Sequence, residues 1–560
     1  MRSEMGNKIS KTAINSSRGE GGFEFTRANV SYLASFSLFI AGVIWRIHYD
    51  HFATINSDEA VVGLMAKQIS HGHFFALFWG QYYGGEEAYV VAVIGRVFGF
   101  GQFALKATPL VLTIALFLAL AFVLSIQIKK HFAFLVASLV MVWPLNSLVN
   151  SLKETGFRQL QALLIVTTLA FFTRGLVSLD EKKGSKVFFF IGGLSLGLSI
   201  WASPEAIVVA PGLLYLAYRV ISIRYRAIST LIVSLVATLL GAAPWIVATV
   251  NTHFKTISVS SGGTATLGYL SRLEIVSTRM FAQALSLLKP FDTTSLASSS
   301  THLTLSIFAI VFIGLISLIG FARAPRLRAF TLTLAIYPFV YSIFPNSSFY
   351  EDGRYALYLP ALILVSSVAA ISRGDRREKV SNGSKDPMSK LSIVISPLLF
   401  LTAIISTALL WRGSEYLLVP VKGAPLPLTQ EESLVRGLEN AGIKDIYANY
   451  WVAYVVDYLA NGAITASQLG GSARWPAYDI AVQRASHASY VTLTNDQPLA
   501  ILSTTYQNAT LDPLPITYEA AVKYFNSKKI FFTDAKIAGF SVLTPSGNVT
   551  PGYIIGSMTK

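Results

Sequence analysis

The chain contains no cysteine and few charged residues. Of its 560 residues, 13% are charged and 53% are hydrophobic, and the mean hydropathy is +0.53. The absence of cysteine excludes disulfides, thiolate nucleophiles and cysteine-ligated metals. Because a soluble domain carries roughly a quarter charged residues, the shortage of charge indicates an integral membrane protein.

Long apolar runs are spread over the first three quarters of the chain. A transmembrane helix needs roughly 20 apolar residues, and the sequence contains eleven candidates, at 31–48, 104–127, 131–149, 157–173, 187–202, 204–222, 228–250, 302–321, 329–345, 354–372 and 391–411. We therefore expect an α-helical polytopic membrane protein with about 11 transmembrane helices. No small-residue cleavage site follows the first run, which favours an uncleaved signal anchor.

The formal net charge of +15 is distributed by side of the membrane. Basic clusters occupy alternate loops, at 129–130, 174–186, 219–226, 323–328 and 373–379, whereas the intervening loops collect acids. Because Lys and Arg favour cytoplasmic loops, the N terminus is expected in the cytoplasm and the C terminus outside a plasma membrane. The charge thus indicates topology and membrane lipids as surroundings, not nucleic acid as a partner.

The chain divides into three parts by composition. Residues 1–28 are polar and predict a disordered cytoplasmic tail, and 29–412 hold the apolar runs. Residues 413–560 alternate strand-like runs at 445–447, 490–493 and 529–532 with helical stretches at 451–460, 476–487 and 516–527. This alternation predicts a small C-terminal extracytoplasmic α/β domain. We find no internal repeat.

Two adjacent acids follow the first apolar run, in the sequence INSDEAVVGLMAKQIS. Val61, Val62 and Met65 continue with helical spacing after Asp58, which predicts a helix lying in the membrane interface. Asn56 and Glu59 have the spacing of a capping box, so a structural role explains Glu59 as well as a chemical one does. Capping explains Asp58 less well, because Asp58 is not at the N3 position.

The rest of the first outside loop and three further outside loops bring polar and aromatic residues to the membrane boundary. The sequence GQYYGGEEAY places glycines beside Tyr82, Tyr83, Glu86 and Glu87, although an aromatic belt also explains the tyrosines. The other candidates are Lys153, Glu154 and Arg158 in NSLKETGFRQLQ, Glu205 in WASPEA, and Arg354 and Tyr355 in NSSFYEDGRYALYLP. Basic side chains at this level suit a phosphate or simply lipid headgroups.

The motifs DEAVVGLMA, FWGQYYGGEEAYVVA, WASPEA and GRYALYLP, in this order, resemble the polyprenyl-phosphate-dependent glycosyltransferases of the GT-C superfamily. The similarity is to the family 39-type proteins, which include protein O-mannosyltransferases and lipid A aminoarabinose transferases. The resemblance implies a transmembrane glycosyltransferase domain over 29–412 that uses a polyprenyl-phosphate sugar donor. In such families an acid of the first outside loop is catalytic, which Asp58 matches; Glu59 completes the Asp-Glu pair, and Arg354 occupies the place of a donor-phosphate ligand.

The chemistry that the resemblance implies suits these residues. A carboxylate such as that of Asp58 can accept the proton of an acceptor hydroxyl, and direct displacement at the sugar inverts its anomeric carbon. Lys153, Arg158 or Arg354 would stabilise the leaving phosphate. A divalent metal, Mg²⁺ or Mn²⁺, remains open as a cofactor. No ligand spacing requires one, and His71 and His73 are interpreted as loop histidines.

Two other classes of function remain open. A lipid-linked sugar flippase or transporter usually carries ionisable groups within its spans and internal repeats, and a non-catalytic envelope protein would bind glycans through its outer domain. The acceptor is an envelope glycolipid, polysaccharide or protein. In the outer domain, Tyr447, Tyr450, Trp451 and Trp475 either stack on sugars or pack in the core.

Overall fold

The structure is a computed structural model that describes ten segments of the chain. They are residues 27–50, 55–154, 156–223, 228–260, 267–288, 299–348, 357–372, 427–470, 473–492 and 516–558. The predicted tail, the candidate span 391–411, and Arg354 and Tyr355 lie outside these residues.

The first part of the chain is helical. Its α-helices are α1 (Arg27–Asp50), α2 (Ser57–Ser70), α3 (Glu87–Phe98), α4 (Gln102–Leu124), α5 (Lys130–Ala137), α6 (Leu145–Asn150), α7 (Arg158–Asp180), α8 (Lys186–Ala202), α9 (Ala210–Ile223), α10 (Ile228–Asn251), α11 (Lys255–Ser260), α12 (Tyr269–Ile275), α13 (Phe281–Ala284), α14 (Ser300–Arg323), α15 (Arg328–Tyr341) and α16 (Leu359–Ile371). Single turns extend several of them: 3₁₀ turns at Ser138–Met141, Pro204–Val209, Pro325–Leu327 and Pro345–Ser348, and a π-helical turn at Val276–Met280.

Six helices in the described part of the chain are long and apolar enough to cross a membrane. They are Ala28–His48, Gln102–Leu124, Arg158–Asp180, Pro204–Ser222, Ile228–Asn251 and Ser300–Arg323. Three shorter apolar helices, Lys130–Met141, Lys186–Ala202 and Leu359–Ile371, and α15 coincide with four further predicted spans. The total of eleven spans stays a prediction.

The C-terminal part folds as the predicted α/β domain around one sheet. Its elements are α17 (Pro427–Asn440), β1 (Asp445–Ala448), α18 (Tyr450–Leu459), β2 (Thr465–Gln468), α19 (Pro476–Arg484), β3 (Ser489–Thr492), α20 (Tyr518–Ser527), β4 (Phe532–Ile537), β5 (Phe540–Pro545) and α21 (Pro551–Met558). The strand order is β2-β1-β3-β5-β4. β2, β1 and β3 are parallel, whereas β5 is antiparallel to β3 and β4.

The C-terminal domain docks on the membrane part through α18 and α2. The apolar face of α2, including Val61, Val62 and Met65, is fully buried in a cluster that also contains Tyr454 and Tyr458 of α18. The predicted helix after Asp58 is therefore confirmed, but its apolar stripe contacts protein. The sequence alone could not distinguish the two, because both surroundings select the same helical periodicity.

Lys67, Gly63 and Tyr458 hold α18 against α2 and against the residue before α4. Lys67 donates to the carbonyl oxygen of Tyr458 over 2.8 Å, and the Tyr458 hydroxyl donates to the carbonyl oxygen of Gly101 over 2.9 Å. Gly63 lies directly under the Tyr458 ring, where a Cβ would come within 2.4 Å of Cε2. The absence of a side chain at Gly63 therefore allows the helices to approach this closely.

We predict that Gly63→Ala weakens this contact. The added methyl group overlaps the Tyr458 ring, and overpacking of this kind costs about 1–3 kcal/mol, so the melting temperature of the purified protein should fall. Gly314→Ala is the matched control, because Gly314 is also helical and a Cβ there meets nothing within 4 Å. Equal melting temperatures of the two variants would contradict the close packing of α2 on α18.

Candidate active site

Glu59 is a fully buried anchor at the start of α2. Its carboxylate completes the capping box, accepting from the Asn56 backbone N–H over 3.0 Å while the Asn56 side chain caps the Glu59 N–H. The same carboxylate accepts from Lys106 Nζ of α4 over 2.7 Å and from the Glu154 backbone N–H over 3.1 Å. Three bonds from three segments give Glu59 a structural role, as its capping spacing indicated.

Asp58 faces the C-terminal domain instead. Its side chain is half-buried, and its Oδ1 accepts a 2.5 Å hydrogen bond from the hydroxyl of Tyr450, the first residue of α18. Ser57 fixes the same point of α18, since its hydroxyl donates to the Tyr450 carbonyl oxygen over 2.6 Å. Burial and the negative charge of Asp58 raise the pKa of Tyr450 well above its usual range. The phenol therefore stays protonated and acts as the hydrogen-bond donor.

Arg474 lies beside this hydrogen bond. Its guanidinium carbon is 5.6 Å from the centre of the Tyr450 ring. Burial lowers the pKa of Arg474, but Tyr450 and then Asp58 raise it, and the net shift is upward. Arg474 is held in place by its backbone N–H, which donates to the Tyr454 hydroxyl over 2.7 Å, and by a 3.3 Å bond from Nη1 to the carbonyl oxygen of Gly80. Asp58, Tyr450 and Arg474 therefore form one cluster.

The aromatic residues near the cluster pack against one another. Trp79 and Trp475 stack with ring centres 4.5 Å apart and an interplanar angle of 12°, and Phe75 meets both rings edge-on. Tyr447 is fully buried in the domain core. For Trp475 and Tyr447 the structure thus supports core packing as the role, whereas Tyr450 contacts Asp58. Tyr83 is half-buried with its ring against Phe157, and Tyr82 is half-buried.

Three predicted site acids, at the start of α3 and between α6 and α7, are buried together. Glu86, Glu87 and Glu154 are at most 5% exposed. Burial and the adjoining Glu154 carboxyl raise the pKa of Glu87 well above its usual range, and burial raises the pKa of Glu154 to about 8. Glu87 accepts from the Leu160 N–H over 3.1 Å and Glu154 from the Gly156 N–H over 3.0 Å. Near neutral pH the protonated form is therefore favoured for both carboxyls, Glu87 and Glu154.

The remaining predicted cation and acid pair with each other. Arg158 Nη1 lies 3.0 Å from Glu205 Oε1 in a buried ion pair, and the Arg158 guanidinium also covers the Phe157 ring. The charge of Arg158 is thus compensated by Glu205. Lys153 is half-buried on the same loop.

The described residues were compared with the ligand sets that hold metal ions in proteins. No group of three or more His, Cys, Asp and Glu side chains among them is arranged to hold an ion. His71 and His73 are exposed loop residues, as interpreted from the sequence, and His71 Nδ1 is 2.8 Å from the Lys67 carbonyl oxygen.

Sequence reasoning missed Lys106 and Arg474. Lys106 is one basic residue inside an otherwise apolar helix, and a charge at such a position signals a buried partner. Arg474 follows a short strand in the outer domain, and no local pattern connects it to Asp58, which is more than 400 residues away.

The sequence matches no protein-family model and no curated protein. The structure, however, superposes on solved structures. ArnT from Cupriavidus metallidurans bound to undecaprenyl phosphate matches over 91% of this chain and 97% of that chain, with a TM-score of 0.57 and 11% identity. The chain has the GT-C fold.

A second solved structure is less similar. The oligosaccharyltransferase AglB from Archaeoglobus fulgidus, in complex with an inhibitory peptide and a dolichol-phosphate, matches over 82% of this chain and 69% of that chain with 13% identity and a TM-score of 0.46. The GT-C fold and the apolar helices make the chain a multi-pass membrane protein.

We predict that Lys106→Gln strongly destabilises this GT-C domain. The substitution leaves the Glu59 carboxylate buried without its cation, and breaking a buried pair in this way costs about 3–5 kcal/mol. The control is Lys183→Gln, whose partner Glu181 lies on the surface. Thermal melting in detergent should show a large decrease for the first variant and none for the second; similar melting of both would contradict an anchoring role for Glu59.

We also predict that acidification stabilises the protein through the Glu87–Glu154 pair. Between pH 4.5, where an ordinary glutamate titrates, and about 8, the folded state holds a proton on Glu154 that the unfolded state has released. Stability is therefore greatest at the acidic end and falls as the pH rises, by at most about 1.4 kcal/mol per pH unit. In Glu154→Gln the neutral amide replaces the protonated carboxyl, so melting curves from pH 5.5 to 8 should lose this component; an unchanged slope would exclude a raised pKa of Glu154.

Proposed function

We propose that this protein is an integral membrane glycosyltransferase. It transfers a sugar from a polyprenyl-phosphate-linked donor to a hydroxyl of an extracytoplasmic envelope acceptor, with inversion, and Asp58 is the general base. Asp58 belongs to the transmembrane domain, and the reaction takes place on the face of that domain that the C-terminal domain covers.

The fold supports the reaction class and the type of donor. ArnT has the same overall fold, and its structure holds undecaprenyl phosphate, a lipid monophosphate of the kind that remains when such a donor has lost its sugar. The apolar helices of this chain provide the membrane surroundings that a polyprenyl tail requires.

The half-burial of Asp58 is the observation that carries the assignment of the base. Among the candidate acids that the structure describes, Glu59, Glu86, Glu87, Glu154 and Glu205 are all buried, and Asp58 alone is partly exposed. A general base must reach the proton that it removes, within about 2.6–3.2 Å of the acceptor oxygen. Asp58 meets this requirement of access, whereas Glu59 is enclosed by its three hydrogen bonds.

The reaction balances without a covalent intermediate. The Asp58 carboxylate takes the proton of the acceptor hydroxyl while the hydroxyl oxygen attacks the anomeric carbon. The bond between that carbon and the phosphate oxygen breaks, and the electron pair leaves with the polyprenyl phosphate. Because the new bond forms opposite the leaving group, the anomeric configuration inverts.

The leaving phosphate requires positive charge at the site. The described candidates are Lys153, which is half-buried between α6 and α7, and Arg158, which pairs with Glu205. Arg354 lies outside the described residues, and we propose for it the role that the resemblance implies, contact with the donor phosphate. A divalent cation would supply the same stabilisation of the phosphate.

The test uses Asp58→Asn with Asp445→Asn as the matched control. Asp445 is a partly exposed aspartate at the start of β1 and lies outside the cluster. Purified protein is given a panel of polyprenyl-phosphate-linked hexoses and pentoses with an envelope extract as acceptor, and release of polyprenyl phosphate is measured. This product is the same whichever sugar and acceptor are used.

Loss of the base should lower the rate in Asp58→Asn by about 10²–10⁴-fold, with the control near wild type. Full activity of Asp58→Asn would overturn the assignment of the base. Passage of an intact lipid-linked sugar across a liposome membrane, without release of polyprenyl phosphate, would instead identify a flippase.

A further inference from the structure

The C-terminal domain presents one edge of its sheet to Asp58. β1, β2 and β3 are parallel, so their carboxyl ends lie at the same edge. Tyr450 follows β1 by two residues, and Arg474 follows β2 by six. The carboxyl edge of an open parallel sheet is where α/β domains bind ligands. Here Tyr450, at that edge, contacts the half-buried Asp58 of the transmembrane domain.

Tyr450 and Arg474 affect Asp58 through the physics of a carboxylate. A hydrogen bond from a phenol that keeps its proton stabilises the ionised carboxyl relative to the protonated one. The guanidinium of Arg474 adds positive charge beside the same bond. The short contact also fixes the rotation of the carboxylate, because Tyr450 engages Oδ1.

We propose that the C-terminal domain completes the catalytic site, with Tyr450 and Arg474 as positioning residues that keep the Asp58 carboxylate ionised and oriented. This inference rests on the proposed function, in which Asp58 is the base. It assigns the outer domain a part in the transfer reaction itself, in addition to any role in covering the membrane domain.

Contacts at both ends of α18 fix the position of Tyr450 relative to Asp58. The Tyr450 carbonyl oxygen accepts from Ser57, one residue before Asp58. At the other end of the helix, Lys67 holds the Tyr458 carbonyl oxygen and Gly63 lies under the Tyr458 ring. α18 is thus attached at both ends to the helix that carries Asp58, and these bonds fix where the Tyr450 phenol lies relative to the Asp58 carboxylate.

Among the residues that the structure describes, charged and titratable groups near Asp58 come from α2, α4 and the C-terminal domain. On α2 the neighbouring Glu59 carries a negative charge, which Lys106 of α4 neutralises at 2.7 Å. From the C-terminal domain come Tyr450, Arg474 and the Tyr454 hydroxyl that accepts from the Arg474 backbone. Tyr450 donates directly to Asp58, and Arg474 is the cation of the outer domain in this group.

The experiment compares Tyr450→Phe and Arg474→Gln with wild type in the polyprenyl phosphate release assay over about pH 3 to 8, a range that includes the ordinary titration of an aspartate. Loss of the donor or of the cation destabilises the Asp58 carboxylate, so the acidic limb of the rate profile should move up by about one pH unit in each variant. Arg474→Lys keeps the charge and should give a profile between wild type and Arg474→Gln. Tyr447→Phe is the control, because Tyr447 is a buried tyrosine on β1 whose hydroxyl bonds Asn548.

Hydrogen–deuterium exchange of 57–70 and 450–459 shows in each variant whether α18 remains docked. If Tyr450→Phe undocks α18, the decision rests on the Arg474 pair, which leaves the α2–α18 bonds in place. Unchanged acidic limbs in docked variants would overturn the inference, as would an effect of Arg474→Gln confined to the KM of the donor. Activity of Asp58→Asn tests the proposed base separately, so the two failures are distinguishable.

Discussion

The buried carboxylate of Glu59 is the constraint on which the site depends. It joins the cap of α2, Lys106 of α4 and the backbone of the second outside loop. A buried charge is tolerated only when its hydrogen-bonding capacity and its charge are both satisfied, and here three segments must meet to satisfy them. Successive residues of a helix point about 100° apart, so fixing Glu59 inward turns Asp58 toward the C-terminal domain.

The candidate acids differ in burial, and this difference underlies the role that we propose for Asp58. Glu59 and Glu205 are paired with Lys106 and Arg158, and the raised pKa values of Glu87 and Glu154 favour their uncharged forms. Asp58 is half-buried and accepts a hydrogen bond from a phenol. Two adjacent acids thus acquire different roles because their surroundings differ, although their ordinary pKa values are alike.

Local signals in the sequence predicted several elements well. The Asn56–Glu59 spacing predicted the capping box that the structure contains, and the apolar periodicity predicted α2. In the C-terminal domain, the sequence predicted β1, β3 and the helices α18 to α20. It did not predict β2, because the sequence TASQ is short and polar. The predicted strand at 529–532 was displaced from β4 at Phe532–Ile537, and β5 was missed. Strands depend on cross-strand partners more than helices depend on distant contacts.

The sequence by itself determined that the chain is rich in apolar spans and that α2 begins at a capping box. It also indicated that capping explains Glu59 better than it explains Asp58. Composition and short-range periodicity carry this information, because it depends on residues within a few turns of one another. Only the tertiary structure decided that Glu59 pairs with Lys106, 47 residues away, and that Asp58 meets Tyr450, 392 residues away. Such pairs depend on how helices and domains pack, and packing at that range leaves no periodic trace in the sequence.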